Sequence, residues 1–370
     1  MKILWLAWKD RTHPAAGGAE VVLHELVKRQ VADGHTVTIL TARHAGARQF
    51  DTVDGARVIR IGSNRYLHPW QALWHYLRHA KGAFDVVIET VNTAPYFAVL
   101  FGSRARRFVL YHQLAREVWF HEAPPGVSHV GYHIAEPLGT RLLSRSRVPV
   151  ITVSESTRQD LARFGWDPRR TSVISEGIRL KPVKKLSATK YDRPTLLSLG
   201  ALRGMKRTLD QIEAFEIAKR SIPTLQLKIA GSAFGAYGKK AVERMQASPA
   251  AKDIEYFGRV SEQQKNELMQ RAHIIMVSSV KEGWGLIVTE ANSQGTPAVV
   301  YDSDGLRDSV RHGQTGIVTE PNPAALAQGV IDMFSDPQVY EALRARAWDW
   351  SKQITFDACY RDFKRVTEVV

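Results

Sequence analysis

Apolar and polar positions alternate along this chain in a repeating order. Lys2–Trp8 is a run of buried-type strand residues. It leads through a glycine-bearing loop, 13–20, into Val21–Ala32, where Val22, Leu23, Leu26, Val27 and Val31 recur at helical spacing. Gly34 follows as a helix stop. Further strands are predicted at 37–41, 56–61, 86–91, 108–112, 148–154 and 172–175. Helices are predicted at 70–81, 131–143 and 157–164. Between 176 and 192 the pattern lapses into a basic, proline-bearing stretch that reads as a linker. The alternation then restarts, with strands at 196–199, 225–230, 254–257, 273–280 and 298–301. The helices between them fall at 208–219, 239–246, 262–271 and 284–293, and three more run from 323 to 366. Strands alternating with helices predict parallel sheets covered on both faces, so the fold class is α/β. Two Rossmann-like domains are expected to face each other across a cleft. Residues 1–183 form the first, joined by a C-terminal helix at about 352–370, and residues 184–351 form the second.

Composition is that of an ordinary globular protein, 44% hydrophobic and 24% charged over 370 residues. No apolar run reaches membrane-spanning length, and the first residues read as a strand and not as a leader. The single cysteine, Cys359, excludes an internal disulfide and a cysteine-built metal site. A cytoplasmic location is expected. Charge changes the picture more. Residues 1–190 hold 28 Lys and Arg against 15 Asp and Glu, while residues 191–370 hold 23 against 22. A first half this basic suits an acidic partner, such as an anionic membrane surface or a phosphorylated acceptor. The stretch 69–81 mixes Trp70, Trp74 and Tyr76 with Arg78 and Lys81. It reads either as a helix packed on its sheet or as one lying at a membrane surface. No nucleic-acid recognition module is present, and no nucleic acid is expected.

The stretch 278–295, SSVKEGWGLIVTEANSQG, carries the most chemistry. A strand feeds a Lys-Glu-Gly corner, and a helix is expected from Trp284 or Gly285, with Glu290 about two turns in. Such a corner aims backbone N–H groups and the positive end of a helix at one spot, which suits phosphate. Gly283 and Gly285 permit close approach. Glu282 and Glu290 would repel phosphate, so their partners are hydroxyls. Diphosphate with hydroxyls on both sides describes a nucleotide-sugar, although a buried strand–helix unit has the same spacing. Three cations, Arg203, Lys206 and Arg207, gather after another strand end beside Gly200 and Gly204 and suit a leaving diphosphate. His112 ends the strand FVLYH, where a sheet points residues at a ligand. Gly17-Gly18-Ala19-Glu20 is a helix start that also admits an anion. Asp302-Ser303-Asp304 reads as a turn, not a metal site.

These motifs come in the order of a known family. GGAE, the strand-end His112, VSEST at 154–157, GALRGMK, LKIAG, FGRVS and above all KEGWGLIVTEANSQGTPAVV resemble the retaining glycosyltransferases of family 4, which have the GT-B fold. Glu282 and Glu290 match that family's paired glutamates. The resemblance implies transfer of a hexose from a UDP- or GDP-linked sugar to a hydroxyl of a glycan or lipid-linked acceptor, without metal or other cofactor. The basic first half, and not the resemblance, makes peripheral attachment on the inner face of a membrane an expectation. By its roles, Glu282 contacts the donor sugar, Glu290 holds the ribose and Lys206 binds diphosphate. Gly283, Trp284, Gly285 and Leu286 supply backbone N–H groups, Gly18 lies under the donor, and His112 sits at the reacting centre. Phe257–Val260, with Arg259 and Val260 foremost, line the base pocket. Where the family has Arg after Gly200 this chain has Ala201, and Arg203 is the expected substitute. A basic binding protein for lipid or nucleic acid, or a sugar-nucleotide epimerase or phosphorylase on the same scaffold, remain the alternatives at this point.

Overall fold

A computed structural model describes the whole chain except residues 65–66, 93, 102–103, 187–189 and 369–370. Part of the expected linker and the end of the expected last helix therefore lie outside the described residues. The chain divides into two compact units. One comprises Met1–Arg116, Gly126–Gly177 and Phe356–Val370; the other comprises Glu117–Pro125 and Ile178–Thr355. The main passage from the first unit to the second falls at 177/178, where 183/184 was expected. The short segment 117–125 joins the second unit, which no sequence pattern suggested.

The first unit holds an eight-stranded sheet. Its strands are β1 (Lys2–Leu6), β2 (Thr36–Thr41), β3 (Phe50–Val53), β4 (Ala56–Arg60), β5 (Val86–Val91), β6 (Arg106–Tyr111), β7 (Val150–Thr152) and β8 (Thr171–Val173), in the order β3-β4-β2-β1-β5-β6-β7-β8. Every pairing is parallel except β3 with β4, a hairpin turned at Asp54-Gly55 with φ of +52° and +80°. Asp-Gly takes this turn because both positions need the left-handed region. The central strands are mostly apolar and buried on both faces, as a helix-covered parallel sheet demands, with Glu89 and Thr90 of β5 the buried exceptions beside buried threonines of β2. The last helix, Phe356–Glu368, buries Phe356, Cys359, Tyr360, Phe363 and Thr367, one stripe at helical spacing. Phe363 stacks on Trp5 with centroids 5.7 Å apart, and the Tyr360 hydroxyl donates to Asp33 at 2.9 Å. The chain's end therefore returns to the first unit.

The second unit holds six parallel strands, β9 (Thr195–Leu199), β10 (Gln226–Ala230), β11 (Ile254–Tyr256), β12 (Ile274–Val277), β13 (Ala298–Tyr301) and β14 (Gly316–Thr319), ordered β11-β10-β9-β12-β13-β14. Strand order reverses between β9 and β12. In such sheets the loops leaving those two strands splay apart above the carboxyl edge and form the ligand crevice.

Besides the strands β3 and β14, which the sequence pattern does not mark, three elements depart from the periodicity. The helix expected over 70–81 runs as His68–His75 and closes in a π-turn, Tyr76–Ala80. Residues 127–144 are helical throughout, but a π-turn at Gly131–Ala135 interrupts them. Pro137 has no N–H to donate and crowds the preceding turn, so the ladder widens there. The expected linker is folded onto the second unit. Lys190 Nζ donates to the carbonyls of Ala272 (2.7 Å) and Gly295 (2.8 Å), and the Trp348 indole donates to the Val183 carbonyl. Burial and the neighbouring Arg344 push the Lys190 ammonium down to about 6. A basic stretch reads as solvated until its cations find carbonyl ends to cap.

Candidate active site

The strand reversal in the second unit sets the site. After β9 the chain turns through Gly200, whose φ of +144° only glycine adopts readily, into a 3₁₀ turn, Gly204–Lys206, and then the helix Thr208–Ser221. After β12 it passes Ser278 and Ser279 to the corner at Glu282. The two loops are stitched together. The Val280 N–H donates to the Met205 carbonyl at 2.8 Å, and the Ser278 hydroxyl to the Lys206 carbonyl at 3.0 Å. Lys206 and Glu282, 76 residues apart, consequently meet as an ion pair. A shallow recess opens here, lined among others by Gly200, Lys206, Thr208, Ser279 and Ile287. Burial pushes the Glu282 carboxyl up, but the Lys206 ammonium, helped by Arg203, outweighs it and holds the carboxyl below its ordinary value.

The corner itself is braced from behind. The Glu282 N–H donates to the Asp304 carbonyl at 2.9 Å. Gly305, at φ +78°, lies so close that a Cβ there would stand 2.3 Å from the Glu282 carbonyl oxygen. The Asp304 carboxylate pairs with buried Lys281 and with Arg307, which also binds Asp302 at 2.6 Å. Asp302-Ser303-Asp304 is thus a brace whose charges are met by cations. Among the described residues no group of three or more His, Cys, Asp or Glu could hold a metal.

The helix begins at Leu286, later than expected, because Gly285 takes φ +87° as its cap. Its leading amides have no acceptor within the helix. Glu290 is its fifth residue, one turn in and not two. Its carboxylate pairs with Lys265 at 3.0 Å, from the helix Glu262–Arg271. Burial raises the Glu290 carboxyl above its ordinary value despite Lys265. The Trp284 ring turns away from the corner and packs with Ile178, Trp350 and Ile354, so only its backbone is left to serve a ligand. Val260 packs on the apolar cluster under the sheet, and Arg259 is exposed beside it.

Arg203 is half exposed, and its Nε lies 3.8 Å from the Glu122 carboxylate. Glu122 ends the short helix Val118–Glu122 and also accepts from the Met205 N–H at 3.5 Å. Neither Glu122 nor Lys265 carried a sequence signal, since each is an ordinary charged residue on a short amphipathic stretch.

In the first unit, His112 follows β6 and is buried. Its Nδ1 lies 3.1 Å from the Glu176 carboxylate, itself buried just past β8. A carboxylate accepts only, so Nδ1 carries the proton and Nε2 is the ring's remaining polar atom. The VSEST stretch fixes the backbone here: Ser154 caps the helix Glu155–Arg163, and the Thr157 hydroxyl donates to the His112 carbonyl at 3.3 Å. Glu176 had a signal, an acidic residue at a strand's carboxyl end, but the sequence reading assigned it to the linker. Gly18 opens the helix Gly18–Ala32, where Glu20 caps the Gly17 N–H at 2.6 Å and takes an ion pair from Lys9 at 3.5 Å.

Known proteins resemble this chain along both of its units. Residues 16–181 match the model described as Glycosyltransferase Family 4, and residues 183–350 match Glycosyl transferases group 1. A D-inositol 3-phosphate glycosyltransferase of Geodermatophilus obscurus is 26% identical over 224 residues, 55% of this chain and 50% of that protein. A glycogen synthase of Mycobacterium tuberculosis is 28% identical over 227 residues, 58% of this chain and 54% of that protein. The chain thus spans about half the length of the curated relatives it matches. Among solved structures, a sucrose-phosphate synthase from Thermosynechococcus elongatus superposes with a TM-score of 0.80 at 18% identity, covering 100% of this chain and 98% of that one. Anabaena HepE, crystallised with UDP and glucose, does so at 0.75 and 16%, covering both chains fully.

Proposed function

Since the chain belongs to glycosyltransferase family 4, we propose that it moves a hexose from a nucleotide-diphosphate sugar to a hydroxyl acceptor with retention of configuration. The observation that carries this reading is the meeting of Lys206 and Glu282 at the strand reversal, beside the start of the helix at Leu286. Unpaired, either charge would be costly in a corner that water reaches only in part. Paired, the two are held ready for a ligand that offers each a better partner. Diphosphate oxygens take the ammonium, and sugar hydroxyls donate to the carboxylate. As the bond from C1 to diphosphate breaks, negative charge grows on the leaving group, and Lys206, Arg203 and the leading amides of the helix stabilise it. Arg203 takes the part that an Arg at position 201 would play, with Glu122 setting its position. Glu290, with its carboxyl raised by burial, holds the ribose hydroxyls, and Arg259 and Val260 flank the base. In the other unit Gly18 serves the donor and the neighbouring acceptor, and His112 serves the reacting centre, with Glu176 fixing the imidazole.

The cations and amides balance the phosphate charge, so the reaction needs no metal. The likeness in fold to a protein crystallised with UDP and glucose favours UDP over GDP as the donor's nucleotide. No helix among the described residues is long and apolar enough to cross a membrane. The acceptor is a glycan or a lipid-linked hydroxyl, met on the cytoplasmic side.

Lys206→Ala should lower turnover at least about tenfold, the usual scale for a lost transition-state donor, while the protein stays folded. Thermal shifts with UDP, GDP and ADP identify the nucleotide by mass action. Wild-type turnover from Lys206→Ala, or no shift with any nucleotide, would sink the reading in favour of a binding protein for which Lys206 and Glu282 have no work.

A further inference from the structure

We propose that the helical segment 127–144 of the first unit is a docking face for an anionic lipid bilayer, and that it brings the protein to an acceptor carried in that bilayer. The segment is amphipathic in the inverted sense. Its outward face carries Val130, Ile134, Leu138 and Leu142, each 43–65% exposed, at a spacing of four residues. Its inward face buries the polar Ser128, Glu136 and Thr140 beside Gly131, Pro137, Gly139 and a single leucine, Leu143. An ordinary surface helix does the reverse. The apolar face continues onto the helix His68–His75. Gly139 packs where a Cβ would stand 3.2 Å from Pro95 and 3.6 Å from Phe97, and the Phe97 ring lies 5.9 Å from Trp70, which is 60% exposed. Trp74, on the same helix, is 58% exposed, with the Arg78 guanidinium over its ring.

Charge selects the occupant. The stretches 67–81 and 127–147 contain Arg78, Lys81, Arg141, Arg145 and Arg147, all exposed. Their sole carboxylate, Glu136, is turned inward. Exposed aliphatic and indole side chains among cations match the acyl–headgroup boundary of an anionic leaflet. A second copy of the chain would set these like charges against themselves.

The inward face reaches the acceptor side. The Glu136 carboxylate accepts the N–H groups of Ala115 and, at 2.9 Å, Arg116, and the Arg116 guanidinium lies 3.9 Å over the Tyr132 ring. The loop leaving His112 is therefore bolted to the inner side of a helix about 10 Å thick whose outer side meets lipid. The bilayer contact stands on the surface alone; the acceptor's delivery rests on the transferase reading.

The test is co-sedimentation of the whole protein with vesicles of phosphatidylcholine, alone or with about a third phosphatidylglycerol. Wild type should partition onto the anionic vesicles at least about tenfold better than onto neutral ones, and salt of about 0.5 M should weaken binding. Ile134→Glu/Leu138→Glu and Arg145→Glu/Arg147→Glu should each lose at least about tenfold, with UDP or GDP thermal shifts unchanged. Equal partitioning of wild type and Ile134→Glu/Leu138→Glu overturns the proposal. So does a wild-type dimer in light scattering that the same variant makes monomeric. A protein that binds vesicles but no nucleotide would retain this surface and lose the transferase reading; one that binds nucleotide but no vesicles does the opposite.

Discussion

Gly305→Ala tests how the Glu282 corner is held. At φ +78° and ψ −37°, outside even the left-handed helical well, an alanine costs at least about 1–2 kcal/mol of backbone strain. Its Cβ would also stand 2.3 Å from the Glu282 carbonyl oxygen and 2.9 Å from the Gly283 carbonyl carbon. Both neighbours are backbone, so neither can swing aside, and the corner must retreat by roughly 1 Å to reach an ordinary contact. A shift of that size in a positioned catalytic group lowers turnover by roughly 100-fold. Gly313→Ala separates the two effects. Gly313 has a similar φ of +70° but nothing within 4 Å of the added carbon, so it carries the strain without the displacement. Both variants should melt a few degrees lower. Only Gly305→Ala should lose turnover, read as release of nucleoside diphosphate from the donor that the nucleotide panel identifies. Equal turnover in the two variants, or wild-type turnover in Gly305→Ala, would show that the corner's position is not set by this contact.

Glu89, fully buried and pushed up to about 7 by that burial, accepts the N–H groups of Tyr96 (2.6 Å) and Phe97 (3.0 Å) on one oxygen. Its folded pKa exceeds its unfolded value of 4.5, so the folded state holds the proton longer. Its share of stability is complete below about 4.5 and is lost as pH rises through about 7. The difference in unfolding free energy between wild type and Glu89→Gln should therefore change by about 3 kcal/mol across that window; a flat difference in denaturant melts from pH 4 to 8 refutes it. Glu176→Leu should cut turnover about tenfold by freeing the His112 tautomer, with Glu176→Gln retaining more because its carbonyl still accepts from Nδ1. Nucleotide binding should be unmoved in both, and an equal loss in the two variants would reduce Glu176 to packing.

The sequence shows strands and helices here because burial imposes its period on each segment. Apolar runs such as β1 and the stripe of Phe356, Tyr360 and Phe363 declare themselves without any partner in view. Two parallel sheets followed from the alternation alone, and the corner at Glu282 from its glycines and charges. What stayed hidden depends on residues distant in the chain. Lys206 reads as one cation among three until the order β9-β12 places its loop against Glu282, whereas Arg207 turns to φ +50° and sits over the Tyr301 ring. Lys265 and Glu122 look like solvated surface until Glu290 and Arg203 arrive beside them. The segment 127–144 hid for a different reason. Its period is plainly helical, and period alone assigns the apolar stripe to the core. Glu136 decides otherwise. A carboxylate that caps the amides of Ala115 and Arg116 must face inward, and on a helix that choice sends Ile134, Leu138 and Leu142 outward. A single buried charge has overruled four apolar residues, and a fold tolerates that inversion where another apolar phase is at hand to receive them.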